Sequence, residues 1–147
     1  MKNKGFSLVE LIIVIAIMAV LVGVLAPIYL QYVERTKRTT DCTNIGMVLD
    51  ACEVLAADPD VIWNSGDEIT IVINTIVSGS NTSYSGSGPT TKLQVLAPNG
   101  TVSLTASWGP FTIVVEKDAN GHLNFEMDDD DIALLSAYSE TLANRLE

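Results

Sequence analysis

The chain has 147 residues, with 18 acids against 8 lysines and arginines and a formal charge of −10. That length suits one compact domain plus an extra element rather than two full domains. The acidic balance excludes a broad basic face for nucleic acid, and two cysteines without a plausible bridge exclude a disulfide framework.

A basic leader, Met1-Lys2-Asn3-Lys4, opens onto an almost unbroken apolar run. From Leu11 to Ala26 no side chain is charged or strongly polar, and the stretch from Phe6 to Leu30 is long enough for a helix crossing a membrane core of about 30 Å. At its start stands Glu10. An ionised carboxylate in hydrocarbon is costly, so a segment that only holds a protein in lipid has no use for one. Glu10 therefore marks function and requires a partner.

Three readings compete for this segment. A secretory signal peptide fits the basic leader, but such apolar cores run about 7 to 15 residues before a small-x-small cut. The only candidate cut, Val24-Leu25-Ala26, is followed by Pro27, and no cysteine follows the core to take a lipid. A plain signal anchor explains the length, with Lys2 and Lys4 favouring an inside N-terminus and Arg35, Lys37 and Arg38 flanking the other end. It explains Glu10 only as a carboxylate snorkelling at the membrane edge.

The third reading takes Lys4-Gly5-Phe6-Ser7-Leu8-Val9-Glu10-Leu11 as one motif. It resembles the class III signal of type IV pilins and of the related pseudopilins, closely over roughly the first 35 residues. The resemblance implies that a prepilin peptidase cuts between Gly5 and Phe6, keeps the apolar run, and methylates the new N-terminus on Phe6. It also implies a helical filament in which the Phe6 amine of one copy lies near Glu10 of a neighbour. Such a pair satisfies two charges that are each costly alone, and it fixes register along an otherwise uniform apolar helix. Burial among Leu8, Leu11, Ile12, Ile15 and Met18 would supply the bulk of the attraction. Pro27 stands where many pilins carry a proline in this helix. With Gly23 four residues earlier, it implies a stretch that unwinds or kinks.

Further along, Ile45, Val48, Leu49, Cys52 and Leu55 recur at helical spacing, and Asp58-Pro59 supplies a stop. One helix is thus predicted from about Ser7 to Ala57, near 75 Å long. Thr39 to Asn44 are poor helix formers within it. Glu34, Arg35, Lys37 and Arg38 form a charged collar, suited to lipid headgroups or to acids of neighbouring subunits. Cys42 and Cys52 lie about 15 Å apart along such a helix. Both read as small packing residues, Cys42 the more exposed.

After Pro59 the composition turns β-branched with turn punctuation. Ile69 to Ile73 reads as a strand, with Asp67-Glu68 as an alternative helix start. Ser78 to Pro89 reads as an exposed Gly/Ser-rich loop. Leu93–Ala97, Thr101–Thr105, Phe111–Lys117 and His122–Glu126 read as an antiparallel meander, with Asn99-Gly100 and Asn120-Gly121 as hairpin turns. Trp108-Gly109-Pro110 marks the turn between the two hairpins. Asp131 to Glu147 reads as a C-terminal helix with Ile132, Leu135, Tyr138, Leu142 and Leu146 on its apolar face. The disulfide with which Gram-negative pilins often tie down this region has no counterpart here.

No arrangement of side chains suggests catalysis, and the single histidine, His122, reads as a solvated turn residue. Asp128, Asp129, Asp130 and Asp131 are weak calcium candidates, since some pseudopilins bind calcium near their C-terminus. The spacing is not that of an EF-hand, and acids there also suit a helix start. Asn81-Thr82-Ser83 and Asn99-Gly100-Thr101 match the N-glycosylation triplet, a pattern common by chance.

Together these features imply an α+β fold: a long N-terminal helix, lollipop-like, packed on an antiparallel sheet, with a short C-terminal helix. Residues 1–5 would be a leader, 6–30 the membrane and polymerisation half of the helix, and 31–147 a globular head. The function implied is that of a type IV pilus subunit without enzymatic activity or cofactor, single-pass in the cytoplasmic membrane before assembly and in a surface filament afterwards. Its partners would be its own copies, the prepilin peptidase/methyltransferase, and an assembly platform with its ATPase. The alternatives are a pseudopilin of a type II secretion or DNA-uptake system, and a membrane-anchored binding domain that never polymerises.

Overall fold

The computed structural model describes residues 7–74, 82–97 and 103–146. The chain divides into two compact units, Met1–Arg35 and Thr36–Glu147. One element, α1 (Leu8–Ala57, 50 residues), has its first half in one unit and its second in the other.

In the first unit the α1 side chains from Leu8 to Leu30 are all exposed. The apolar run forms a helix long and apolar enough to cross a membrane. Helical structure continues through Gly23 and Pro27. Proline removes one backbone donor without necessarily ending a helix that is held on both sides by regular turns.

In the second unit α1 buries Asp41, Cys42, Ile45, Val48, Leu49, Cys52 and Leu55, the stripe that the helical spacing predicts. Cys42 is buried, not exposed as expected. It lies beside Asp41 on the inward face, about one helical turn before Ile45.

Among the described residues the sheet has four antiparallel strands in the order β2-β1-β3-β4. It is built from β1 (Glu68–Ile73), β2 (Ser83–Gly86), β3 (Phe111–Lys117) and β4 (Leu123–Met127). Alternation places Ile69, Ile71 and Ile73 of β1 and Phe111, Ile113 and Val115 of β3 inward, all fully buried. Together with the α1 stripe they form one core, closed by Trp63, Leu93 of α2 (Thr90–Leu96), Ile132 and Leu135 of α3 (Asp129–Ser136), and Leu142 near the end of α4 (Glu140–Ala143).

Four expectations are corrected. First, part of the Ser78–Pro89 loop is ordered: Ser83–Gly86 pairs with β1, and the Tyr84 hydroxyl donates to the Ala97 carbonyl at 2.7 Å. Residues 78–81 lie outside the described residues. Second, Leu93–Ala97 belongs to helical structure rather than a strand. Leu93 and Ala97 are buried four apart while Val95 is exposed, and amide bonds run Leu93 to Pro89 and Ala97 to Leu93. Third, among the described residues, residues 103–105 show one sheet-like contact, Leu104 N–H to the Asn74 carbonyl at 3.0 Å. The next two amides are bound by a side chain of α1. The Asn99-Gly100 turn, Thr101 and Val102 lie outside the described residues. In place of the expected meander, β1 is flanked by β2 and β3.

Fourth, the C-terminal helix is two. Asp128 caps α3 by accepting from Asp130 N–H, so the helix starts before Asp131. Ser139 starts α4 by accepting from Leu142 N–H, which breaks the run between them.

Candidate assembly site

Gly5 and Phe6 lie outside the described residues. Glu10 is described, and it has a partner in its own chain. Ser7 precedes the first residue of α1. Its hydroxyl accepts from the Val9 amide at 3.4 Å, and its own amide donates to Glu10 Oε2 at 3.1 Å. This is a variant of the capping box: the N-cap hydroxyl takes the N2 amide rather than the N3 amide, while the N3 carboxylate reaches back to the N-cap amide, each satisfying an orphan backbone donor of the first turn. In lipid, where no water serves those donors, the arrangement is worth more than at a soluble helix end. The Ser7-x-x-Glu10 spacing is the sequence signature of such a box, and it went unread beside the intermolecular role expected of Glu10.

The collar splits in two. Arg38 packs into the head, with its guanidinium 5.3 Å from the Trp108 ring centroid and 5.6 Å from that of Tyr138. One of its nitrogens donates to the Tyr138 hydroxyl at 3.1 Å. Lys37 is exposed.

One turn on, Asp41 is wholly buried and gathers four donors. Oδ1 accepts from Thr105 N–H at 2.7 Å and Thr105 Oγ1 at 2.8 Å; Oδ2 accepts from Ala106 N–H at 2.9 Å and Trp108 Nε1 at 2.8 Å. A buried carboxylate needs such donors, since an unpaired one is strongly disfavoured. From sequence, residues 39–44 read only as poor helix formers. Asp41 is instead the tie between α1 and the loop before β3, and an acid among positions otherwise on the apolar face was its signal.

Arg145 is a second tie. Its two terminal nitrogens reach Asp50 Oδ1 and Glu53 Oε1 of α1, each at 2.9 Å, and its guanidinium lies 5.9 Å from the Phe125 ring centroid. It ties the segment after α4 to α1 and β4. Both cysteines are free and buried, and burial pushes their thiols up, Cys42 to about 11 and Cys52 to about 12.

Asp128 is committed to the Asp130 amide, and burial, followed by the charges of Asp128 and Asp130, holds Asp131 above the usual carboxylate range. Among the described residues no three His, Cys, Asp or Glu side chains come together to hold a metal ion. His122 sits exposed in the β3–β4 turn, where Asp118 accepts the His122 and Asn120 amides at 2.8 Å each. The His122 amide above all holds the Asp118 carboxyl below its usual range. Asn81 and Asn99, the acceptors of the two glycosylation triplets, lie outside the described residues.

The N-terminal segment matches a family model described as the prokaryotic N-terminal methylation motif, over residues 1–26. A fimbrial protein of Pseudomonas aeruginosa is 30% identical over 114 residues, covering 73% of this chain and 69% of that protein. The type IV major pilin protein PilA of Myxococcus xanthus is 29% identical over 68 residues, 46% of this chain and 31% of its own length. The chain thus spans about a third of that PilA. No solved structure matches the chain. The methylation motif, a long N-terminal helix with an antiparallel sheet after it in the chain, and the extent of the fimbrial match place this chain in the type IV pilin family.

Proposed function

We propose that the chain is the polymerising subunit of a type IV pilus. The observation that carries the reading is a helix apolar all round from Leu11 to Leu30, with one carboxylate at its head. Such a helix has two suitable environments, lipid and the packed helices of its own copies. Before assembly it spans the cytoplasmic membrane; afterwards it lines the interior of a surface filament. Prepilin peptidase cuts between Gly5 and Phe6 and methylates Phe6, and the Phe6 ammonium of one subunit meets Glu10 of the next. The assembly platform and its ATPase move subunits from one environment to the other. Gly23 to Pro27, helical in the single chain, is where the filament yields under tension. A subunit in this role needs neither enzymatic activity nor a cofactor.

The test is the N-terminal mass of the chain in material sheared from cells and in membranes. Loss of Met1 to Gly5 with one added methyl, abundant in sheared material, is the expected result. The same modification confined to membranes identifies a pseudopilin instead. An intact N-terminus in both fractions overturns the reading.

A further inference from the structure

The Ser7–Glu10 pair does more than begin a helix. We propose that Ser7 is a positioning residue for the assembly contact, holding the Glu10 carboxylate at the head of α1 so that its second oxygen faces an incoming ammonium. The inference rests on the reading of Glu10 as the register contact of a filament.

The geometry has three parts. The Ser7 carbonyl accepts the first helical bond, from Leu11 N–H at 3.3 Å, so the helix is anchored on this residue. The Ser7 hydroxyl, on Val9 N–H, keeps the residue in its capping conformation. In that conformation its amide points at Glu10 Oε2. A carboxylate has about four acceptor sites on two oxygens, so one bond from Ser7 leaves Oε1 and the remaining lone pairs for a neighbour's cation.

Two consequences follow. Before assembly, Glu10 is not a bare charge in lipid, because it satisfies a backbone donor that would otherwise also go unpaired. On assembly, a glutamate with several rotatable side-chain bonds is already held in one place, so less freedom is lost when the intersubunit pair forms. Ser7 therefore acts through Glu10 and through preorganisation, without touching the neighbour itself.

The experiment compares the full chain with Ser7→Ala, Ser7→Val, Ser7→Thr and Glu10→Ala, expressed in cells competent to assemble it. Three quantities are read: the N-terminal mass in membranes, the thermal midpoint of the head, and the yield of sheared filament. Ser7→Ala and Ser7→Val should be cut and methylated normally, with an unchanged head midpoint and a filament yield lower by roughly fivefold, the factor for loss of a helix cap. Ser7→Thr should restore the yield, since threonine caps and the similarly shaped valine does not. Equal yields from the threonine and valine variants would overturn the proposal. So would a normal yield from Ser7→Ala, or a cleavage defect that accounts for its loss. A normal yield from Glu10→Ala would instead remove the register reading, and the role of Ser7 with it.

Discussion

Asp41 binds two donors on each of its carboxylate oxygens, and this makes it hard to replace. An asparagine side chain in its place would turn an amide NH2 toward two donors whichever way it flipped. Asp41→Asn should therefore destabilise the head by about 3 kcal/mol, well beyond the loss of one ordinary hydrogen bond. Denaturant unfolding of the detergent-solubilised chain, followed by tryptophan emission, measures it. The cysteines make a second prediction: with thiols at about 11 and about 12 and both side chains buried, they should resist iodoacetamide at pH ~8 until the head unfolds. Rapid labelling of Cys42 in the folded chain would contradict its burial. Asp118 gives the third. Its folded carboxyl lies below its unfolded value, so the turn it organises is fully supported above the unfolded value and loses support as pH falls through the folded one. Protection of the Asn120 and His122 amides from hydrogen exchange should decline only under acid conditions.

At the level of elements, α2 shows why part of the fold was hard to read. Leu93, Val95 and Ala97 alternate as a strand would, yet only Leu93 and Ala97 are buried. Leu93→Ala should cost about 2–5 kcal/mol and Val95→Ala less than about 0.5, whereas a strand would bury both. Thermal unfolding of the two variants decides it. Where one pattern dominated, the sequence was legible: the α1 stripe from Ile45 to Leu55, the alternation in β1 and β3, and the Asn120-Gly121 turn. It was not legible where short apolar runs fit two periods, as in α2. Nor was it legible where side chains took backbone donors from a strand, as Asp41 does at Thr105 and Ala106. The break before α4 depends on Ser139, whose capping role emerges once Leu142 is buried in the core.

For the molecule as a whole, the acidic exterior and the apolar α1 act in opposite directions. In the proposed filament the apolar helices would attract copies, while a formal charge of −10, more negative still once Lys2 and Lys4 leave with the leader, would repel them over a Debye length of about 8 Å at physiological salt. Lowering ionic strength toward ~10 mM lengthens that reach. It should thus reduce lateral bundling of sheared filaments, seen by light scattering, without dissolving the filaments themselves. Glu10→Ala should act differently. If Glu10 makes the proposed contact with a neighbour's Phe6 ammonium, losing one partner of that buried pair costs about 3–5 kcal/mol, so filament yield should fall sharply at any salt concentration. The N-terminal methylation motif was legible in the sequence, because a carboxylate in an apolar run is conspicuous. Its local geometry was not, because one carboxylate can serve both a neighbour's cation and the serine amide three residues away, and only the first use was expected.

The grip of Arg38 and Asp41 on Trp108 has a practical consequence. One tryptophan has its ring face against a cation and its indole N–H on a carboxylate of α1, while the other, Trp63, donates instead to the Asp67 carbonyl. In a Trp63→Phe chain the remaining indole becomes an optical gauge inside the subunit. Its emission would report, in intact fibres and without any attached dye, whether each head still grips its own helix as the fibre is stretched.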